Sequence, residues 1–329
     1  MRRRELLLAS VAMAVVAATG RAAVAAPQTV LRMGFTNSRA AQMGAGAVEF
    51  ARQAELATNG RIRIELYPNG EAGGELEMVQ DIALGALDMA FPSSSVINGI
   101  EPSIGIFDIP FLFRDVAHAR AVLDSDIGKQ SLLQLESHGI IGLAWGENGL
   151  RHVTTANTAV RKPGDLSGIK IRVPQSEVMV AGFKAFGADA QALAFPDLYP
   201  ALASGSFQAE ENPIGVILSG NFDRVQRYLN LTGHVYSPGL ILIGKHVFER
   251  LSPEDQSALG QAAVLGAKAS RDAADRSEKA GIDELRNRGM TVVSDVDRVA
   301  FADAMAKVAG DFEKRFGKDH IDAIRAFGQ

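Results

Sequence analysis

The sequence predicts an α/β protein built as two units, with one long helix bracing both. Three patterns carry this reading. Strand and helix signals alternate from residue 30 to residue 91, a second strand–helix series begins near residue 149, and one helical run extends from Ser252 to Arg288.

Val30 to Phe35 (VLRMGF) reads as a short strand, Gly44 to Thr58 as a helix, and Arg61 to Tyr67 (RIRIELY) alternates as a strand does. Glu75 to Leu84 reads as a helix and Leu87 to Phe91 as a short strand. This βαβαβ opening predicts a mostly parallel sheet with helices on both faces. Ile140 to Trp145 is a further strand. In the second unit Ile169 to Val173 is a strand and Glu177 to Phe186 a helix. Asp197 to Ser204 is a short helix ended by Gly205, with Pro200 tolerated in its first turn. Ser252 caps the long run, Pro253 takes its first helical position and Gly289 stops it. A continuous helix of that length spans about 54 Å. A lobe of about 150 residues is about 40 Å across, so the helix should outreach one unit. Gly260, Gly266 and Gly281 weaken its helical propensity. Arg298 to Phe316 reads as one more helix.

Arg2, Arg3 and Arg4 precede an apolar stretch, Leu6 to Ala18, broken only by Ser10 and followed by Ala23-Val24-Ala25. Basic start, apolar middle and small-x-small end predict a secretory signal peptide over residues 1–25, too short for a comfortable membrane span. Arg3-Arg4-Glu5-Leu6-Leu7 and the late Arg21 also resemble a twin-arginine signal, so the export route stays open. There is no cysteine, hence no lipid anchor, disulfide framework or thiol chemistry. Removing Arg2, Arg3, Arg4, Arg21 and Glu5 takes the formal net charge from −4 to −7. That acidity excludes a nucleic-acid partner. No later stretch approaches eighteen uninterrupted apolar residues, so a soluble periplasmic protein starting near Ala26 is expected.

The chain lacks the marks of an enzyme. It has neither a Gly-x-Ser-x-Gly elbow nor a phosphate-binding loop. Gly44-Ala45-Gly46 is half a dinucleotide fingerprint, but Glu49 stands where the third glycine belongs, and close helix packing explains the pair better. The histidines His118, His138, His152, His234, His246 and His320 have no metal-ligand spacing, so no metal or cofactor is expected. Glu210-Glu211 could serve acid–base work, but a solvated turn is the expected setting.

Arg172 is more informative. On its strand Ile169, Ile171 and Val173 share one face, and Lys170 and Arg172 the other. Both faces of a parallel sheet are normally covered, so a charge there needs a partner. Arg172 also lies at the carboxyl end of its strand, the edge at which open α/β sheets bind ligands. A helix follows, and helix N-termini favour anions. A bound carboxylate and a strand–helix salt bridge both satisfy these facts.

Residues Gly168 to Pro213 (GIKIRVPQSEVMVAGFKAFGADAQALAFPDLYPALASGSFQAEENP) closely resemble the signature of the extracytoplasmic solute receptors of TRAP transporters, of the dicarboxylate-receptor type. GGELEMVQDIALGALDM (Gly73 to Met89), FDIPFLFRD (Phe107 to Asp115), WGENGLRHVTT (Trp145 to Thr155) and LTGHVYSPGL (Leu231 to Leu240) are similar to the family in the same order. The resemblance implies a two-lobe, periplasmic-binding-protein-like fold. Lobe I would comprise residues 26–148 and about 238–277, and lobe II residues 149–237 and about 278–329. It implies that Arg172 holds a ligand carboxylate, that Arg151 is a second cleft arginine, that Asn212 hydrogen-bonds the ligand and that Phe195 forms an aromatic wall. Gln175, Ser93 and Thr36 match positions that supply polar contacts in some members. Two departures stand out. The family's Asp-Gly-x-Glu-Asn-Pro reads Gln208-Ala209-Glu210-Glu211-Asn212-Pro213 here, and Ser93 and Gly74 replace acidic residues of sialate-binding members, so sialate is not the expected ligand.

The function implied is non-catalytic capture of a small organic acid between lobes, followed by delivery to a membrane permease with a small and a large subunit. The receptor is expected to be a monomer. A receptor of the same fold feeding a sensor kinase, and a periplasmic enzyme, are the alternatives. The matched positions include no acidic residue, so a ligand without a free amine is expected. Arg39, after the first strand, is expected to be a solvated loop residue and not a second carboxylate anchor.

Overall fold

A computed structural model describes residues 29–328. The signal peptide expected over residues 1–25 lies outside the described residues. The strands are β1 (Thr29–Gly34), β2 (Ile62–Tyr67), β3 (Met89–Ala90), β4 (Ile140–Thr155), β5 (Lys170–Val173), β6 (Asp189–Ala192), β7 (Ala209–Pro213), β8 (Tyr228–Gly244) and β9 (Thr291–Val293). They join in the order β2-β1-β3-β8-β4-β7-β5-β6, with β9 beside β8.

The two ends of this order are parallel, as the alternating strand–helix signals predict: β1 pairs with β2 and β3, and β5 with β6 and β7. The centre differs. β4 and β8 are far longer than the short strand expected at Ile140 to Trp145, and they pair antiparallel from Ile140↔Gly244 to Thr155↔Tyr228. At about 3.3 Å per residue each reaches about 50 Å. β3 joins the carboxyl end of β8 and β7 the carboxyl end of β4, so the two parallel blocks hang from opposite ends of one shared ladder. The ladder slips register at Gly142/Ala144, Glu147/Gly149 and Arg151/Val153. Such bulges add twist and bend, and Gly149 sits at φ +126° beside the middle one.

The long helix runs unbroken from Pro253 to Asn287. Ser252 accepts from Asp255 N at 3.1 Å, Pro253 fills the first turn, and Gly289 follows at φ +104°. It touches both blocks. A Cβ on Gly266 would meet Phe50 of α1 (Gln42–Ala57), and one on Gly281 would meet Ile214 and Leu218 beyond β7. The stretch expected as one helix from Arg298 is instead two, Arg298–Ala304 and Ala309–Phe316, joined by a 3-10 turn at Met305–Lys307.

Gly44 and Gly46 are packing glycines. A Cβ on Gly46 would lie 2.8 Å from the Gly266 carbonyl oxygen and 2.9 Å from Ser270 Cβ, closer than a side chain tolerates. Gly46→Val is therefore expected to destabilise by about 1–3 kcal/mol, the usual cost of overpacking. Urea unfolding checks this, and a midpoint within error of wild type would show that the two helices can part.

Candidate ligand-binding site

The carboxyl ends of β1 and β5 face a cleft that also takes in the start of α2 (Glu75–Leu84) and the middle of β4. Its polar lining is Asn37, Glu75, Ser93, Asn148, Arg151, Arg172, Gln175 and Asn212, and its apolar lining Val96, Pro174, Phe195 and Val216. Larger hollows lie elsewhere, between Phe107 and Phe316 and beside Lys184. Neither of these two is lined by a buried arginine.

Arg172 reaches the cleft because β5 ends one residue later and Pro174 turns the chain into the helix Glu177–Ala185. The side chain is 3% exposed. Its Nε and Nη2 donate to the Leu193 carbonyl at 2.8 and 2.6 Å. Among the described residues no carboxylate lies within ion-pairing distance of it, so the strand–helix salt bridge is not formed. Burial pushes its pKa down to about 10, the mark of a cation short of a counter-charge.

Arg151 lines the same cleft but is already neutralised. Its Nε and Nη2 donate to Glu211 Oε2 and Oε1 at 2.5 and 2.7 Å, and both side chains are buried. His234 Nε2 stands 3.0 Å from the same Oε2. Glu210 and Glu211 are thus not a solvated turn. They form part of β7, in the interior, because β4 and β5 cover both edges of that strand. Asn212 accepts from Arg151 Nη2 at 3.2 Å and donates to Glu210 Oε2 at 2.6 Å.

Phe195 lies edge-on to Phe222 at 6.1 Å and walls one side, while Gln175 stands at the entrance to the helix after β5. Thr36 is placed otherwise than its family match implies. It is absent from the lining, and its hydroxyl donates to Glu75 Oε1 at 2.9 Å. Ser93 lines the cleft, but its hydroxyl donates to Glu75 Oε2 at 2.6 Å and its N–H to the same oxygen at 3.2 Å. Both residues therefore aim Glu75, the acidic group that the matched positions lacked. The sequence signal was available: Glu75 directly follows Gly73-Gly74 in a matched motif. Arg39 is exposed, donates to the Leu66 carbonyl and does not line the cleft.

Asn37 and Asn148 are two further lining residues that sequence reasoning missed. Asn37 Nδ2 and Asn148 Oδ1 are buried without a hydrogen-bond partner. Buried polar atoms are rarely left unpaired, and both of these belong to residues of the cleft lining. An unpaired cation, a held carboxylate and two free amide atoms thus share one cleft, a lining chemically suited to a polar, anionic solute. Among the described residues no group of three or more His, Asp or Glu gathers as a metal site. No helix of the described residues is long and apolar enough to cross a membrane.

The family model for bacterial extracellular solute-binding proteins, family 7, matches residues 33–315, and the chain belongs to this family, the TRAP type of receptor and not an enzyme. A solute-binding protein of Verminephrobacter eiseniae is 41% identical over 304 residues, covering 92% of this chain and 91% of the relative. The 2,3-diketo-L-gulonate-binding periplasmic protein YiaO of Escherichia coli is 36% identical over 296 residues, 90% of each. The crystal structure of a TRAP periplasmic solute-binding protein from Polaromonas sp. JS666, bound to D-erythronate, superposes with a TM-score of 0.90 at 38% identity, covering 92% of this chain and 99% of that one. The fold is the two-lobe α/β fold of these receptors.

Proposed function

We propose that this receptor captures a polyhydroxylated organic acid, with the carboxylate on Arg172 and the hydroxyls on Glu75, Asn37 and Asn148. One observation carries the reading: Arg172 is a buried guanidinium facing a cleft with no ion-pair partner. A fork of N–H donors fits a carboxylate at two points. Glu75 accepts hydrogen bonds, so it suits the hydroxyls of a sugar or hydroxy acid better than a second carboxylate. Asn212 offers its remaining N–H, Arg151 shapes the floor, Gln175 and Ser93 complete the polar rim, and Phe195 packs on the ligand. Thr36 acts through Glu75. The D-erythronate of the Polaromonas relative has this chemistry.

The β4–β8 ladder supports a hinge between lobe I (residues 26–148 and about 238–277) and lobe II (149–237 and about 278–329). The middle register slip, Glu147/Gly149, falls at that boundary. Closure would remove water from the carboxylate and strengthen its pairing. Residues 1–25 direct export to the periplasm and are then removed. The closed monomer hands its ligand to a two-subunit TRAP permease, the partner that the family implies.

A thermal-shift panel tests the ligand class. D-erythronate and related sugar acids are expected to raise the melting temperature by several degrees, succinate by less, and neutral sugars not at all. Stabilisation by neutral sugars or amino acids, with no response to any hydroxy acid, would refute the assignment.

A further inference from the structure

Glu210 has no role in the reading above, and its surroundings are unusual. It is fully buried in β7, and among the described residues no cation pairs with it. Its Oε2 accepts from Asn212 Nδ2 at 2.6 Å, while Asn212 Oδ1 accepts from Arg151. The amide is held at both ends, which leaves the second N–H of Nδ2 for the cleft that Asn212 lines.

The other oxygen, Oε1, lies 2.5 Å from the Thr154 hydroxyl, which lies in turn 3.3 Å from Gln226 Oε1. Gln226 Nε2 donates to the Val225 carbonyl, which fixes the amide so that Oε1 faces Thr154. A hydroxyl has one hydrogen. With Glu210 ionised, Thr154 donates to it. With a proton on Oε1, Glu210 donates to Thr154, and Thr154 turns its hydrogen to Gln226. One hydroxyl rotation accommodates both charge states, and the bond to Asn212 survives in each.

Several charges face this carboxyl. Arg151 and Glu211 form a neutral pair beside it. Arg172 stands opposite Glu210 in the β5–β7 register and, among the described residues that line the cleft, is the cation without an ion-pair partner. Burial pushes Glu210 up to about 7. Asp108, on the turn Pro102–Asp108 and bonded to Ser94, is another buried carboxyl that burial pushes up, to about 6. Burial pushes His234 below its ordinary value, which favours the neutral ring. Glu75 lies across the cleft. An anion on Arg172 cancels the one unpaired positive field that favours the ionised form of Glu210.

We propose that Glu210 is a positioning residue that aims the Asn212 N–H at the ligand and takes up a proton from solvent as the anion binds, so that capture is coupled to proton uptake. The proposal rests on the anionic reading of the cleft. Because binding raises the affinity of Glu210 for its proton, ligand affinity should be level where Glu210 is protonated in both states and should fall as pH rises above 7.

The test is calorimetric titration with D-erythronate between about pH 6 and pH 8.5, in two buffers of different ionisation enthalpy. The wild-type protein is expected to take up a fraction of a proton near pH 7.5 and to lose about fivefold in affinity across the range. Glu210→Gln, which still accepts from Asn212, should bind with little pH dependence and no uptake. Asp108→Asn should keep the wild-type profile. D-erythronate binding without proton uptake in the wild type overturns this inference alone, whether or not the variants fold. Uptake that persists in Glu210→Gln, or vanishes in Asp108→Asn, also overturns it. Failure of D-erythronate and the other hydroxy acids to bind at any pH sinks the cleft reading and this inference together.

Discussion

Arg172→Ala is expected to weaken organic-acid binding by about two to three and a half orders of magnitude while the ligand-free protein melts close to wild type. In the closed cleft the carboxylate would lose Arg172, the lining arginine that has no ion-pair partner among the described residues. Breaking a buried ion pair by removing one partner costs about 3–5 kcal/mol, and each decade of affinity is about 1.4 kcal/mol. Without ligand the balance is different. The guanidinium makes no salt bridge, and its hydrogen bonds go to one carbonyl, that of Leu193. Removing it leaves that carbonyl short of donors, which costs stability, but it also relieves the burial of a charge with no counter-charge, which adds stability. Arg172→Lys should recover part of the affinity, since an ammonium keeps the charge without the planar fork. Titration calorimetry and ligand-free melting curves on both variants decide. A melting temperature several degrees lower, with affinity changed less than tenfold, would make Arg172 a structural residue.

The elements legible in the sequence are those whose signals are local. Alternation in RIRIELY, the Ser252-Pro253 start and the Gly289 stop each act within a turn or two, and each structural element follows. β4 and β8 were hidden for the opposite reason. Trp145 to Arg151 contains two glycines and an asparagine, and Pro238-Gly239 interrupts β8, so neither stretch carries a continuous strand pattern. In the fold these residues sit at the register slips. Pro238 opposes Glu147 beside the middle slip, where the ladder is already interrupted and a missing N–H is tolerated. The site divides the same way. Arg172 was legible as a candidate from its place at a strand end, though position left a salt bridge equally open and the family motif tipped the choice. Glu210 and Glu211 were not, because adjacent carboxylates look solvent-facing until Arg151, Thr154 and His234 arrive from other strands. Thr36 and Ser93 were found for the right neighbourhood, but the group they hold, Glu75, looked like any acidic residue in the first turn of a helix.

Glu211→Ala is expected to lower unfolding free energy by about 3–5 kcal/mol, because it leaves the Arg151 guanidinium buried with no counter-charge. Arg151 is 1% exposed, donates twice to the Glu211 carboxylate and sits where β7 and β8 flank β4, so little water solvates its charge. Removing both charges should cost less than removing one. Arg151→Met combined with Glu211→Leu is expected to recover at least half of the single-variant loss, since a buried ion pair is often replaceable by apolar side chains of similar volume. The pH dependence carries a second signature. Burial disfavours the Glu211 charge, but Arg151 and His234 outweigh it and hold this carboxyl below its ordinary value of 4.5. A carboxyl with a depressed folded pKa contributes stability that is present above 4.5 and lost as pH falls through the folded value. Glu211→Ala should therefore be destabilised most at neutral pH, with its deficit narrowing in acid. Urea unfolding at neutral and acidic pH measures both effects. A loss below about 1 kcal/mol at neutral pH would mean that water or another carboxylate reaches Arg151, and that the pair does not hold the centre of the sheet.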